Sequence, residues 1–337
     1  MLAALAFQPV DRVPLQIHPS PAGLYEHGQK LLDLMRACGH DFDDQSGLAL
    51  PIIPNEDFDT DGRYHKFATD AWGTFWEYRL FGVWGYRIHY PLADISRLGS
   101  YRFPEIKPLQ GQELAQVQAA GIVHRRRYFH VGGGVSLFET MQSLRPFADV
   151  LIDIAQDTPE INRLADLLVE YNRVIIENAL AAGVDAVSVG DDFGTQQALM
   201  LSPKTWRRFF LPRYLAMFEP VKRAGKRILF HSCGMISSIL PDLREAGADA
   251  IWPQLSLFNH RDLAKRCRDL GLAMQLHPDR GELMQHATPQ QVRSYVLRLV
   301  DEFDCLSGGS WLYLEVDPGF SWPNVQALFE TAMQLRQ

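Results

Sequence analysis

From residue 129 to the C-terminus the chain repeats one unit, a short apolar run followed by a longer stretch of Leu, Ile, Phe and Ala at helical spacing. The apolar runs lie near residues 129, 185, 228, 250, 272 and 312. Such alternation restricts a chain to parallel α/β architectures, because parallel strands need crossover connections of about a dozen residues or more. A strand at residues 13–18 and one expected between residues 40 and 90 bring the number of units to eight, which predicts a (β/α)8 TIM barrel. A doubly wound sheet is the alternative, but Phe129-His-Val-Gly-Gly-Gly134 matches neither a GxGxxG fingerprint nor a Walker loop. The 337 residues then form a single domain. Residues 1–100 supply the first strand, an N-terminal excursion and an aromatic hairpin, and residues 101–337 supply the remainder of the barrel.

In this fold, chemistry sits at the C-terminal ends of the strands. There the chain places His18, Asp191 and Asp192, then His231 and Cys233, and finally Gln254, His277, Glu315 and Asp317. In Ile228-Leu-Phe-His-Ser-Cys-Gly234 the i and i+2 residues His231 and Cys233 point to one face of a strand. Imidazole and thiolate together form a donor pair of the kind that binds zinc.

Two other segments stand out. Residues 41–70 scatter aspartates among prolines without the spacing of an EF-hand loop, which indicates a solvated excursion with one short strand. Residues 71–90 crowd aromatic side chains around Gly82 and Gly85 and predict a β-hairpin. The hairpin either packs on the barrel edge or walls a substrate pocket, in which case Trp72 and Trp76 are its candidate contacts.

A net charge of −7 gives no basic field for nucleic acid or an anionic membrane, and no apolar run approaches the ~18 residues of a spanning helix. The four cysteines form no CxxC or disulfide framework, and the N-terminus lacks the form of a secretory signal, so a cytoplasmic protein is expected. Homo-oligomerisation is compatible with the sequence.

Asp11-Arg-Val-Pro-Leu15, Gly190-Asp-Asp-Phe-Gly-Thr-Gln196 with Leu201-Ser-Pro203, and Phe230-His-Ser-Cys-Gly234 resemble the uroporphyrinogen decarboxylase superfamily. More narrowly they resemble its corrinoid-dependent methyltransferase branch. Pro253-Gln254, Thr288 to Val292, Gly308-Gly309 and Pro323-Asn324-Val325 extend the likeness over nearly the whole chain. The resemblance implies a zinc barrel that moves a methyl group between a corrinoid (cobalamin) protein and a small donor or acceptor. His231 and Cys233 match two of the branch's metal ligands, but the last strand ends in Glu315 and Asp317 where the branch has a cysteine. Glu315 is therefore the expected third ligand, ahead of Asp317, His277 and Cys305.

The arginine-rich signature with which true decarboxylases grip tetrapyrrole carboxylates is replaced here by Gln16-Ile-His-Pro-Ser-Pro-Ala-Gly23, which ranks decarboxylation below methyl transfer. Asp192, and after it Asp191, is expected to orient the substrate or the metal-bound imidazole, a helix cap being the other reading of Asp191. Gln196 and Gln254 are expected as polar groups of the pocket, and His18 and His277 as groups at its mouth. A methoxyaromatic substrate would suit the aromatic segment, with O-demethylation as the reaction. The corrinoid must come from a partner protein, because the chain has no Asp-x-His-x-x-Gly run. A metal-free binding barrel is the reading from another class, and a zinc hydrolase is disfavoured because no strand carries His-x-His.

Overall fold

The computed structural model describes all 337 residues. Ten strands are present: β1 (Leu15–His18), β2 (Lys66–Thr69), β3 (Phe75–Tyr78), β4 (Tyr86–His89), β5 (Val131–Val135), β6 (Ala186–Gly190), β7 (Arg227–Ser232), β8 (Ala250–Pro253), β9 (Ala273–Leu276) and β10 (Ser310–Glu315). Seven of them form one parallel sheet in the order β1-β10-β9-β8-β7-β6-β5, so strands adjacent in space from β5 to β10 are also adjacent in the chain. Helices connect them, as the alternating pattern predicts.

The eighth barrel strand expected between residues 40 and 90 is absent from this sheet. Its place between β1 and β5 is spanned at a single residue. The Asp41 amide donates to the Leu15 carbonyl (2.9 Å), and the Asp41 carbonyl accepts from the Phe129 amide just before β5 (2.8 Å). Gly39 with φ 60° turns the chain in, and the acidic, Pro-containing stretch that follows leaves the sheet again before a ladder can form.

The interior shows that the sheet nevertheless curls around a common axis. Leu5, Phe42, Phe129, Ala186, Leu229, Ala250, Ala273 and Trp311 form one buried apolar cluster. Its members come from five successive strands, from the approach to β5, from the Asp41 segment and, through Leu5, from the short N-terminal helix Leu2–Leu5, an assembly that a flat sheet could not make. Alanines on β6, β8 and β9 leave room for Trp311, Phe42 and Phe129, the large-with-small interdigitation of a filled barrel. A separate cluster of 63 residues fills the layer between sheet and helices.

Helix boundaries follow local chemistry. Pro159–Ala182 starts with Thr158 as N-cap and proline at its first position, and ends at Gly183 in the left-handed region. The helical spacing of apolar residues over 136–157 is divided between two helices, Phe138–Leu144 and Phe147–Gln156. Pro146 holds Arg145 extended (φ −137°, ψ 144°) and so breaks the helix. Gly111–Arg125 is a further helix that the apolar pattern did not reveal, because it buries only Gly121.

The aromatic segment forms the predicted hairpin, β3-β4, and β2, in the stretch where one short strand is expected, pairs with β3 to complete a three-stranded antiparallel sheet, β2-β3-β4. Asp70 accepts from the amides of Trp72 and Thr74 and from the Trp76 indole (2.8 Å), which sets the turn into β3. Thr74 ties this sheet to the barrel by donating to the Ser143 carbonyl, and Arg87 does so by donating to Glu139.

The Asp41 carboxylate accepts from the Leu15 amide and from Arg336 (2.6 Å). Burial opposes its ionisation, but the hydrogen bonds from Arg336 and Leu15 outweigh that and hold its pKa below the ordinary value. A depressed folded-state pKa contributes stability that is present above the unfolded pKa of about 4 and is lost as pH falls through the folded value. Asp41→Asn is expected to cost about 2 kcal/mol at neutral pH. In urea titrations across pH, the variant should also lose part of the acid-side decline seen in the wild type.

Candidate functional site

The loops after β6 and β7 meet backbone to backbone. The Gly194 amide donates to the Cys233 carbonyl (3.2 Å), and the Met235 amide donates to the Thr195 carbonyl (2.8 Å). A Cβ on Gly234 would stand 2.0 Å from the Gly194 carbonyl oxygen, and one on Gly194 would stand 2.5 Å from the Met235 nitrogen. Both positions therefore require glycine, and Gly234 also has φ +82°. This contact brings Asp192, two residues past the end of β6, against the β7 terminus. There Asp192 Oδ1 accepts from the Cys233 amide at 2.7 Å.

The ligating atoms of Asp192, His231 and Cys233 all lie within 4.8 Å of one another. His231 Nε2 is 3.4 Å from Cys233 Sγ and 3.4 Å from Asp192 Oδ1. Donors at 2.0–2.3 Å around a tetrahedral zinc stand roughly 3.3–3.8 Å apart, so the spacing suits that ion. His231 Nδ1 lies 2.9 Å from the Trp252 carbonyl. Donation of the Nδ1 proton to that carbonyl fixes the tautomer that leaves Nε2 free as a ligand. Burial lowers the His231 pKa against the raising effect of Asp192, and so favours the neutral ring. Burial, with the Asp192 carboxylate second, pushes the Cys233 thiol up to about 12. An oxygen, a nitrogen and a sulfur donor at the mouth of a barrel, two of them acidic, form a set that a divalent cation would satisfy.

Glu315, expected as the third ligand, lies outside this group. It belongs to a second cluster across the strand ends, 3.8 Å from His18 Nε2 and 3.9 Å from Arg280, with the Tyr313 hydroxyl donating to it at 3.2 Å. Burial raises the Glu315 pKa, and His18 and Arg280 moderate the rise. Asp317 pairs with Arg280 at 3.2 Å. His277 is buried against Trp252 and Tyr313, with its pKa well below the ordinary value through burial. Cys305 is buried beside Ser310 at the start of β10, the end of the strand opposite Glu315.

Asp191 faces away from the mouth. It is fully buried, and it accepts from the Leu137 and Glu139 amides and the Tyr214 hydroxyl. It thus caps the helix Phe138–Leu144 from a distance, so the capping reading prevails over the catalytic one. Burial pushes its pKa up to about 7, against the lowering effect of those three donors. The carboxamides of Gln196 and Gln254 hydrogen-bond each other, and Gln254 also accepts from the Gly234 amide. They tie the loop after β6 to the end of β8. Trp72 packs on Phe103 and Tyr171, and Trp76 is buried beneath Arg87 and Trp84. Neither lines the central cavity.

That cavity, of about 360 Å³, occupies the half of the barrel interior beneath the strand ends. Around its mouth stand His18, Gly190, His231, Trp252 and Glu315, and two residues earlier on their strands come Gln16, Ser188, Leu229, Ala250 and Tyr313. Trp311 and Gln275, register partners on β10 and β9, complete the wall next to the apolar cluster. Sequence reasoning missed Trp252, Tyr313 and Gln275. The signal was the period-two alternation within each strand, read inward from the polar strand end. Glu139 was also missed. Burial and the Asp192 carboxylate raise its pKa, and Arg87 of the small sheet donates to it.

Comparison with solved structures places the whole chain beside a methyltransferase from Methanosarcina mazei. The TM-score is 0.61 and the identity 15%, with 99% of this chain and 97% of that chain covered. A B12-independent methionine synthase from Shewanella sp. W3-18-1 aligns at TM-score 0.47 and 10% identity over 91% of this chain and 84% of that one. A dihydropteroate synthase from Xanthomonas albilineans aligns at TM-score 0.38 and 14% identity over 58% and 65%. At these identities the first likeness establishes the fold, and the other two add nothing to it. No curated protein matches the sequence. The sequence signature described as Uroporphyrinogen decarboxylase (URO-D) matches residues 123–333, which leaves the small antiparallel sheet outside the match but takes in both site-bearing loops. The chain belongs to the uroporphyrinogen decarboxylase family.

Proposed function

We propose that this chain is a zinc-dependent methyltransferase that moves a methyl group between a small substrate in the barrel cavity and a corrinoid carried by a separate protein at the barrel mouth. The observation that carries the reading is the convergence of Asp192, His231 and Cys233, with His231 also lining an aromatic-walled cavity. Family membership and the likeness over nearly all of the chain to a protein described as a methyltransferase support it. Decarboxylation of a tetrapyrrole fits less well, because no Lys or Arg lines the cavity and Arg280 at its edge is engaged by Asp317.

In this reading Asp192 takes the ligand position first expected of Glu315. Zinc held by Asp192, His231 and Cys233 would supply Lewis acidity, stabilising the heteroatom that leaves a methyl group or the thiolate that receives one. The remaining work falls to the chain. The Trp252 carbonyl keeps His231 Nε2 turned to the mouth, and the Cys233 amide keeps Asp192 beside it. Trp252 and Tyr313, with ring centroids 4.6 Å apart, form a wall that orients a flat substrate and keeps water from one side of it. Methyl transfer is an in-line displacement, so alignment of donor and acceptor sets its rate.

Purified protein reconstituted with zinc is expected to hold about one ion per chain, with affinity lower by about 10-fold or more in Asp192→Asn and Cys233→Ser. Glu315→Gln should keep the ion, and Asp191→Asn should lower thermal stability without releasing it. The functional test is anaerobic formation of methylcobalamin from cob(I)alamin with methyl ethers, methanol or methylamines, and the reverse reaction with thiols. Formation with one of these classes, lost in Cys233→Ser, supports the reading. Absence with all of them overturns it.

A further inference from the structure

Gln275 is the feature of the cavity that the metal end does not use. It lies on β9 in register with Trp311, is 6% exposed, and lines the cavity with a carboxamide that makes no hydrogen bond to the protein. Among the other buried amides, Asn324, Asn172 and Gln142 donate to protein groups, while Gln45, which does not line the cavity, leaves its carboxamide unpartnered. A polar group withdrawn from bulk water and aimed into a cavity needs a partner there. Gln16 stands on the other side of β10, its oxygen taken by the Trp311 indole (3.2 Å), so its remaining free group is the NH2 donor. Around these amides the walls are aromatic, from Trp252, Tyr313 and Trp311, and no Lys or Arg lines the cavity to receive a carboxylate.

Resting on the methyltransferase reading, we infer that Gln275 is a specificity determinant: it hydrogen-bonds an uncharged hydroxyl or amide substituent of a planar ring ligand, whose methylated heteroatom points to Asp192, His231 and Cys233. A carboxamide donates and accepts, so it matches a hydroxyl, whereas a carboxylate would find no Lys or Arg in a cavity that already holds the Glu315 carboxyl. A volume of about 360 Å³ holds one substituted ring.

The test is titration of the zinc-loaded full chain with 3-methoxyphenol, methoxybenzene and 3-methoxybenzoate, followed by quenching of tryptophan emission, with no corrinoid present. Wild type is expected to bind 3-methoxyphenol about 5- to 10-fold more tightly than methoxybenzene, one hydrogen bond's worth, and to bind the benzoate most weakly. In Gln275→Met, which keeps the volume and removes the amide, the first two should bind alike. Equal binding of methoxybenzene or the benzoate by wild type, binding of none of the three, or an unchanged preference in Gln275→Met overturns the inference. The wild-type comparison stands even if the variant does not fold. Because binding is read without methyl transfer, hydroxyl-selective binding with no turnover would count against the methyltransferase reading alone. Turnover without that selectivity would count against the role of Gln275 alone.

Discussion

Everything at the mouth of this barrel depends on two glycines that let two loops touch. Gly194 and Gly234 approach so closely that a methyl group on either would collide with the other's backbone or its neighbour's. The contact carries Asp192 from the end of β6 to the end of β7, where its carboxylate receives the Cys233 amide. Without it, His231 and Cys233 would remain a strand-end pair lacking an oxygen donor. The positions with no side chain thus set the geometry of those that have one.

Below the mouth the interior is divided between stability and recognition. The N-terminal half is filled by Trp311, Phe42, Phe129 and the alanines packed around them, an apolar cluster that packs the Asp41 segment and the approach to β5 against the strands β6 to β10. Asp41 contributes the backbone hydrogen bonds across the gap and a carboxylate anchored by Arg336. The C-terminal half is left open as the cavity, and its side chains turn polar toward the strand ends. Trp311, Leu229 and Ala250 belong both to the apolar cluster and to the lining of the cavity.

Period and strand-end position made much of this visible in the chain. The alternation from residue 129 onward identified six parallel strands, and the His-x-Cys spacing identified two of the three converging donors. What escaped depended on contacts between distant segments. Asp191 and Asp192 are chemically identical neighbours, and only the fold separates them, sending one to Tyr214 and a helix start and the other to the mouth. The carboxylate on the last strand, where the resembled branch has a cysteine, points to Glu315 as a ligand, but β10 and β7 are separated by two strands in the sheet, and Glu315 meets His18 of the adjacent β1 instead. Trp72 and Trp76 drew attention by their density, yet aromatic density recorded the packing of a small sheet with its own anchor at Asp70. The wall aromatics Trp252 and Tyr313 were hidden because single residues inside apolar strands carry no local signal beyond their parity.

The most direct measurement of the central claim is zinc K-edge X-ray absorption on the reconstituted wild-type protein. The account predicts one sulfur neighbour at about 2.3 Å from Cys233, with nitrogen and oxygen neighbours at about 2.0–2.2 Å from His231 and Asp192. A first shell of nitrogen and oxygen alone, or an edge indistinguishable from hydrated zinc, would contradict it.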